Sequence, residues 1–323
     1  MTGRRPRVVL VGSMNFDCVA KADRLPRKGE TVLGTSFGTF PGGKGANQAV
    51  QMARLGAEVF MVGRVGDDFM ADAVLSSLKS SGVITEYVRR DASVTTGAAC
   101  IYVDRNGDNM IVIIPQANLA CSKEDVEAAG DVIRSAEVLL CQFEIALPTV
   151  VHAVTMAARF GVKVILNPAP PATQPLPDGL LAHATILTPN ETEAEALSGF
   201  PTVPPEANEV DKAAWESRVA RSLLSMGPSA VVLTLGERGA YLATREGEGL
   251  VPAFPVQAVD VTAAGDAFNG ALAVALAEGK ALRDAVVFAN AAGALAATRP
   301  GAQPSLADRD EVEQFLRERR ARA

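Results

Sequence analysis

Histidine and cysteine, the residues most often used for metal binding and redox chemistry, are scarce in this sequence. It has four cysteines and two histidines in 323 residues. The cysteines show no C-x-x-C spacing and no nearby histidine pair, which argues against a zinc or redox site. His152 and His183 lie among apolar residues without partner motifs, so we expect any general base to be a carboxylate.

Positive charge is not in surplus either, and long apolar runs are absent. The net charge of −6 argues against a nucleic-acid partner, because phosphate backbones attract proteins rich in Lys and Arg. No uncharged apolar stretch reaches the roughly 18 residues of a membrane span. The apolar residues 8–11 are too few for a signal peptide. We therefore expect a cytoplasmic protein with reduced thiols and no membrane partner.

Several common motifs are missing. No G-x-G-x-x-G follows the first predicted strand, which argues against a dinucleotide-dependent dehydrogenase. Residues 38–44 approach a P-loop, but Gly45 follows Lys44 where a Ser or Thr would bind magnesium. We therefore expect no P-loop.

What is present is a regular alternation of buried strands and helices. Short apolar, β-branched runs predict strands at residues 8–11, 59–62, 138–141, 162–166, 184–187 and 230–235. Helical patterns cover residues 46–55, 68–80, 123–135, 149–160, 191–198, 211–226, 265–278 and 282–298. This alternation predicts an α/β fold, a central mostly parallel sheet sandwiched by helices, in one domain over residues 1–323.

Two segments, residues 16–40 and 98–114, break the alternation. The first is rich in Gly and Thr, and the second reads as a hairpin that turns at Asn106-Gly107. Together they predict a small antiparallel β-sheet beside the main one. Such a sheet could be a lid or a dimerisation flap, and the two roles are compatible.

Two glycine-rich runs could bind a ligand. In residues 41–48 the adjacent glycines allow close approach to the backbone, although a tight structural turn fits equally well. In residues 260–270 small residues lead into a helix whose N-terminus could bind phosphate. Asp266 lies there as a helix cap or as a catalytic base, and the helix field is expected to lower the pKa of Asp266.

Polar residues also follow two further predicted strands. Asn190 and Glu193 share one helix face, where they could orient magnesium waters or form a capping pair. Thr234 to Gly239 end a buried strand, which is where open α/β sheets bind ligands.

These runs together resemble the ribokinase-like carbohydrate kinase family over nearly the whole chain. The specific elements are Asn15-x-Asp17, Gly-Gly-Lys-Gly-Ala-Asn-Gln at residues 42–48, Ala-Gly-Asp at 264–266 and Gly-Ala-Gln-Pro-Ser at 301–305. Further matches lie at residues 29–32, 167–170 and 188–195. The resemblance implies ATP-dependent phosphorylation of the primary 5-hydroxyl of a small sugar, D-ribose first, in D-ribose catabolism.

The resemblance also implies roles for individual residues. Asp266 would be the base, with the N–H groups of Ala264 and Gly265 as the anion hole for the γ-phosphate. The sugar would be held by Asn15, Asp17, Gly43, Lys44, Asn47 and Glu144, together with Asp266. ATP would contact Asn190, Thr234, Gly236, Gly239, Gly265 and Asn290, and Glu193 would order Mg²⁺ and its waters. A monovalent cation, K⁺, would lie at Asp260, Thr262, Ala296, Arg299, Gly301 and Ser305. The small sheet would be the sugar lid and a homodimer interface.

Two positions depart from the family pattern: Pro41 replaces an aromatic or aliphatic residue, and Asn290 stands where histidine is common. Neither belongs to the catalytic set. 2-Deoxyribose and adenosine remain alternative acceptors, and a sugar-sensing module without catalysis is the alternative from another class.

Overall fold

The computed structural model describes residues 4–320, so the expected domain of residues 1–323 extends beyond this range at both ends. The strands are β1 (Arg7–Val11), β2 (Asn15–Ala22), β3 (Gly34–Gly42), β4 (Glu58–Gly66), β5 (Ile84–Asp91), β6 (Gly97–Val103), β7 (Asn109–Ile114), β8 (Val138–Cys141), β9 (Lys163–Leu166), β10 (Ile186–Leu187), β11 (Ala230–Thr234), β12 (Gly239–Thr244) and β13 (Glu248–Pro252). The α-helices are α1 (Lys44–Arg54), α2 (Phe69–Ser80), α3 (Ala117–Ala120), α4 (Lys123–Ala128), α5 (Gly130–Arg134), α6 (Leu147–Arg159), α7 (Glu191–Ser198), α8 (Glu209–Ser225), α9 (Ala264–Ala277), α10 (Leu282–Ala297) and α11 (Arg309–Arg320).

The main sheet has the strand order β13-β12-β11-β10-β9-β8-β1-β4-β5. Neighbouring strands from β11 to β5 run parallel, and β12 and β13 add an antiparallel edge. Helices cover both faces. Along β1, Val8 and Leu10 face one core, while Val9 and Val11 face the other. Burial on both faces explains the continuous apolar runs, and the predicted α/β fold is confirmed.

The small sheet is also confirmed, with the order β3-β2-β6-β7. The pairs β2–β3 and β6–β7 are antiparallel, and they join through a parallel pairing of β2 with β6. Gly107 turns the second hairpin with a φ of 88°, a left-handed conformation that glycine adopts without strain.

Several elements differ from the sequence-based expectation. The predicted helix over residues 123–135 is broken into α4 and α5 at Ala129, directly before Gly130, a residue type of low helix propensity. The strands β5, β12 and β13 and the helix α11 were not predicted. Within residues 4–320, no helix is both long enough and apolar enough to cross a bilayer.

Candidate active site

The sequence-predicted polar residues converge at the carboxyl ends of the parallel strands. Asn15 follows β1, Glu144 follows β8, and Asn190 follows β10. Lys44 begins α1, and Asp266 lies in the first turn of α9. This edge of an open α/β sheet is the position at which such folds bind ligands.

Asp266 is held by hydrogen bonds on both of its carboxylate oxygens. It is buried, its Oδ2 accepts a hydrogen bond from Asn47 Nδ2 at 3.0 Å, and its Oδ1 accepts one from Gln48 Nε2 at 3.0 Å. Burial raises the pKa of Asp266 above its ordinary value, although Lys44 and the two amides oppose this rise. The expectation that the helix field lowers this pKa was therefore wrong, because loss of hydration outweighs it.

Two further carboxylates share the site with Asp266. Burial, together with the negative charges of Glu144 and Asp266, raises the pKa of Asp17 to about 7. Burial raises the pKa of Glu144 too. For Lys44, burial alone would lower the pKa, but the negative charges of Asp266, Glu144 and Glu193 reverse the direction and raise it. One ammonium group thus faces several carboxylates.

Space requires glycine at both Gly42 and Gly43, and backbone conformation requires it at Gly43 as well. Gly43 has a φ of 90°, and a Cβ at this position would lie 2.7 Å from the backbone nitrogen of Asn15. A Cβ on Gly42 would lie 2.0 Å from Oδ2 of Asp17. The run is therefore a tight turn, and its glycines also make room for the Asp17 carboxylate.

Glu144 is tied to the start of α1. Its Oε2 accepts hydrogen bonds from Ser13 Oγ at 2.5 Å and from the backbone N–H of Lys44 at 3.1 Å. Ser13 Oγ in turn accepts from the N–H of Gly45 at 3.2 Å. These bonds link the segment after β8, which carries Glu144, to the start of α1, which carries Lys44.

The orientation of Asn15 is set by a residue that the sequence did not indicate. Asn118 Nδ2 donates to Oδ1 of Asn15 at 2.7 Å, and Asn118 also exchanges hydrogen bonds with the backbone of Met14. Because Asn118 occupies the side-chain oxygen of Asn15, Asn15 can act toward a ligand as a hydrogen-bond donor through its amide N–H groups. Asn47 shows the converse pattern, since its Oδ1 is buried and has no hydrogen-bond partner among the described residues.

The predicted anion hole lies at the start of α9. Ala263 has a φ of 61°, an uncommon left-handed conformation for a residue with a Cβ, and it is the N-cap of α9. The N–H of Ala264 donates to the carbonyl of Val261 at 3.1 Å, so this N–H is engaged in a turn. Gly265 follows in the first turn, where backbone N–H groups have no intrahelical acceptor.

The predicted nucleotide residues lie beside one another at the ends of β10, β11 and β13. Asn190 and Glu193 form a reciprocal capping box on α7, and Asn190 forms a β-bridge with Thr234. Gly236 and Gly239 have φ angles of 57° and 105° in the next turn. Asn290 donates from Nδ2 to the carbonyls of Val251 and Pro252 at the end of β13. Of the two interpretations of Asn190 and Glu193, the structure thus contains the capping pair.

Asp260 connects two of the predicted cation residues, Thr262 and Gly301. Its Oδ2 accepts from the N–H of Gly301 at 2.8 Å, and its Oδ1 accepts from the N–H of Thr262 at 2.9 Å. Burial alone would raise the pKa of Asp260, but these hydrogen bonds hold it below its ordinary value. The carbonyls of Ala296 and Ala302 accept from Arg299 N and Ser305 Oγ. Over residues 4–320, no cluster of three or more His, Cys, Asp or Glu side chains forms a metal site.

The chain is similar to known proteins over nearly its whole length. The family model described as pfkB family carbohydrate kinase matches residues 5–309. The chain is 42 % identical over 309 residues to ribokinase of Bacillus subtilis, covering 96 % of this chain and 99 % of that protein. It is 36 % identical to deoxyribokinase of Salmonella typhi, covering 96 % and 98 %. The structure of Arabidopsis thaliana ribokinase complexed with ribose and ATP superimposes with a TM-score of 0.86 at 34 % identity, covering 97 % of this chain and 99 % of that one.

Proposed function

The chain belongs to the pfkB family of carbohydrate kinases, and we propose that it transfers the γ-phosphate of ATP to the primary 5-hydroxyl of D-ribose, giving ribose 5-phosphate and ADP. The observation that carries this proposal is the convergence of Asp266, Asp17 and Glu144 around Lys44 beside the N-terminus of α9. Carboxylates and amides bind a polyhydroxylated substrate, and a helix N-terminus binds phosphate.

In this proposal Asp266 is the catalytic base. The 5-hydroxyl oxygen attacks the γ-phosphorus, the bond from that phosphorus to the β–γ bridging oxygen breaks, and the hydroxyl proton passes to Asp266. Donors on both oxygens fix the direction in which the carboxylate can accept that proton. A raised pKa makes Asp266 a better proton acceptor than an exposed aspartate near neutral pH.

The backbone at the start of α9 is proposed to stabilise the charge on the γ-phosphate oxygens. Gly265 offers an N–H in the first helical turn, and Ala264 can contribute its own N–H once it turns away from Val261. These donors, together with the field of α9, favour the negative charge of the transferring group.

ATP is proposed to lie over the cluster of Asn190, Thr234, Gly236, Gly239 and Asn290. The glycines leave space for the nucleotide. The side-chain oxygen of Asn290, Oδ1, stays available because only Nδ2 is hydrogen-bonded to the backbone of β13. Mg²⁺ would neutralise charge on the ATP phosphates. Glu193 would hold its waters, as a buried carboxylate whose pKa is raised by burial and by Asp266.

The loop around Asp260 fits a monovalent cation. Asp260 is an ionised carboxylate, and it joins two segments rich in carbonyl groups, residues 259–262 and 296–305. The proposed K⁺ ligands are Asp260, Thr262, Ala296, Arg299, Gly301 and Ser305. Bound there, K⁺ would supply positive charge near the anion hole.

Ribose is favoured over adenosine because of the number of polar groups in the pocket. Asn15, Asp17, Lys44, Asn47 and Glu144 require a ligand with several hydroxyls. Adenosine carries a base on its anomeric carbon and leaves a buried polar group without a partner, and sites of this kind reject such analogues by about 10⁴-fold. 2-Deoxyribose keeps the anomeric hydroxyl, and it is the second candidate because deoxyribokinase of Salmonella typhi is also a close relative.

A coupled assay of ATP consumption over a small sugar panel tests the assignment. We expect kcat/KM to be highest for ribose, lower for 2-deoxyribose and lowest for adenosine under one set of conditions. A higher kcat/KM for 2-deoxyribose would reassign the substrate within the sugar kinases. Adenosine equal to ribose would make the protein a nucleoside kinase, and no turnover of any acceptor would favour a binding module.

We further propose that the small sheet closes over the sugar and joins two copies of the chain in a homodimer. Residues 16–40 and 98–114 then form the lid of one catalytic domain. Asp17 on β2 points into the site, and large apolar side chains on the same sheet are exposed to solvent. These exposed side chains are Phe37, Phe40, Tyr102, Met110, Ile111, Val112 and Ile113. An apolar surface of this kind is typical of an interface. The four free cysteines fit the proposed cytoplasmic location.

A further inference from the structure

Gln48 on α1 contacts the proposed base, Asp266, and lies outside the proposed sugar, ATP and cation contacts. Its side chain is fully buried. One N–H of its amide donates to Oδ1 of Asp266 at 3.0 Å, and Nε2 also donates to Oδ1 of Asn167 at 3.1 Å. Its oxygen accepts from Nε2 of Gln142. Both amide N–H groups and the amide oxygen are therefore hydrogen-bonded, and the amide plane is fixed.

The hydrogen bonds of Gln48 continue into a ring that returns to Asp266. Asn167 donates to the carbonyl of Thr188 at 2.9 Å, and Thr188 Oγ1 donates to Oδ1 of Asn269 at 2.6 Å. Asn269 Nδ2 donates to the carbonyl of Gly265 at 2.9 Å, one residue before Asp266. The ring links α1, the ends of β9 and β10, and the first turns of α9.

The backbones of α1 and α9 are held close together at this point. A Cβ on Gly270 would lie 3.0 Å from the carbonyl oxygen of Gln48 and 2.9 Å from Cβ of Gln51. Any larger residue at position 270 would separate the two helices. The close approach lets the short side chain of Asp266 reach an amide on the neighbouring helix.

Resting on the proposed function, we propose that Gln48 is a positioning residue that holds the Asp266 carboxylate in the orientation required to accept the sugar proton. Asn47 binds one carboxylate oxygen and Gln48 the other, so the carboxylate cannot rotate. Asn47 belongs to the proposed sugar site, whereas Gln48 acts only through Asp266 and its buried partners. Fixed orientation of a reacting group lowers the entropic part of the barrier.

The charged groups that face Asp266 come from several elements. They are Lys44 on α1, Asp17 on β2, Glu144 after β8 and Glu193 on α7. Lys44 favours the ionised form of Asp266, and the carboxylates oppose it. The amide of Gln48 also favours the ionised form, because it donates a hydrogen bond to the carboxylate.

The test compares Gln48→Met with Gln51→Met. Gln51 lies one turn further along α1, is equally buried, and donates to the carbonyl of Ala307 instead of Asp266. We expect Gln48→Met to lower kcat for ribose about 10- to 100-fold, the effect of one lost hydrogen bond to a charged group, with little change in KM. The acid limb of its pH–rate profile should move to higher pH, because Met donates nothing to Asp266. Gln51→Met should keep the kcat and the pH profile of the unmodified protein.

Gln142→Met gives a second test if Gln48→Met does not fold. Gln142 contacts Gln48 and lies outside the proposed substrate contacts, so its loss should loosen Gln48 and cause a smaller decrease in kcat and a smaller shift of the acid limb to higher pH than Gln48→Met causes. Equal kcat and pH profiles for Gln48→Met and Gln51→Met, or for Gln142→Met and the unmodified protein, would overturn the role of Gln48 and leave the proposed kinase activity intact. No sugar phosphorylation by the unmodified protein would instead overturn the proposed function, and this inference with it.

Discussion

We expect the ionised carboxylate of Asp17, which is proposed to bind the sugar, to lower the free energy of unfolding of the sugar-free protein at neutral pH. Burial and two neighbouring carboxylates raise its pKa from 3.8 to about 7. The native state therefore binds this proton more tightly than the unfolded chain. Between about pH 4 and pH 7 the unfolded chain gains more from ionisation, so stability falls as pH rises, and the full cost is present above pH 7.

The size of the cost follows from the two pKa values. A difference of about three pH units at about 1.4 kcal/mol per unit corresponds to about 4 kcal/mol. Asp17→Asn keeps the shape of the side chain and removes the ionisation. It should therefore stabilise the free protein by up to about 4 kcal/mol at pH 8 and by less than about 2 kcal/mol at pH 5. It should also lower kcat/KM for ribose by about 10- to 100-fold, because a charged acceptor is lost.

Urea unfolding at pH 5 and pH 8, without sugar, measures the increase in the free energy of unfolding that Asp17→Asn causes at each pH. Asp23→Asn is the matched control, since Asp23 is exposed just beyond the end of β2. It should not show a pH-dependent gain. A gain for Asp17→Asn that is equal at the two pH values, or a loss at pH 8, would refute the electrostatic account of the pocket.

Two further predictions concern the cations in the assay buffer and the backbone conformation of Ala263. Turnover should require Mg²⁺ and should be faster in potassium than in sodium buffer of equal ionic strength, because Asp260 and its loops fit the proposed K⁺ site; equal rates in the two buffers would argue against a cation site there. Ala263→Gly should raise the free energy of unfolding by about 0.5–1 kcal/mol, since glycine removes left-handed strain but adds freedom to the unfolded chain. An unchanged or lower urea midpoint would show that the φ of 61° at Ala263 carries no strain.

The central layers of the fold were predictable because their strands are buried on both faces. A strand such as β8 is apolar at every position, and this pattern does not depend on its neighbours. The edge strand β5 carries four charged residues among its eight, and the edge strand β13 has only five residues, two of which are Gly249 and Pro252. Such strands are recognisable only once the sheet that they extend is known.

The convergence of the candidate site residues was predictable where these residues lie in short sequence motifs. Asp266 and Lys44 lie in glycine-rich runs, and the structure brings these runs together. Asn118 has no such context, because it meets Asn15 only through the fold, across more than a hundred residues. The direction of the pKa shift of Asp266 was mispredicted for the same reason, since burial is a property of tertiary packing.

The most direct test of the account is the turnover of Asp266→Asn with ribose, measured beside ribose binding by calorimetry. Asn47 can rotate its unpartnered Oδ1 toward the new amide, so the fold and the sugar site should survive the substitution. We predict a loss of about 10²–10⁴-fold in kcat, with an affinity for ribose close to that of the unmodified protein. A kcat near that of the unmodified protein would contradict the assignment of Asp266 as the catalytic base.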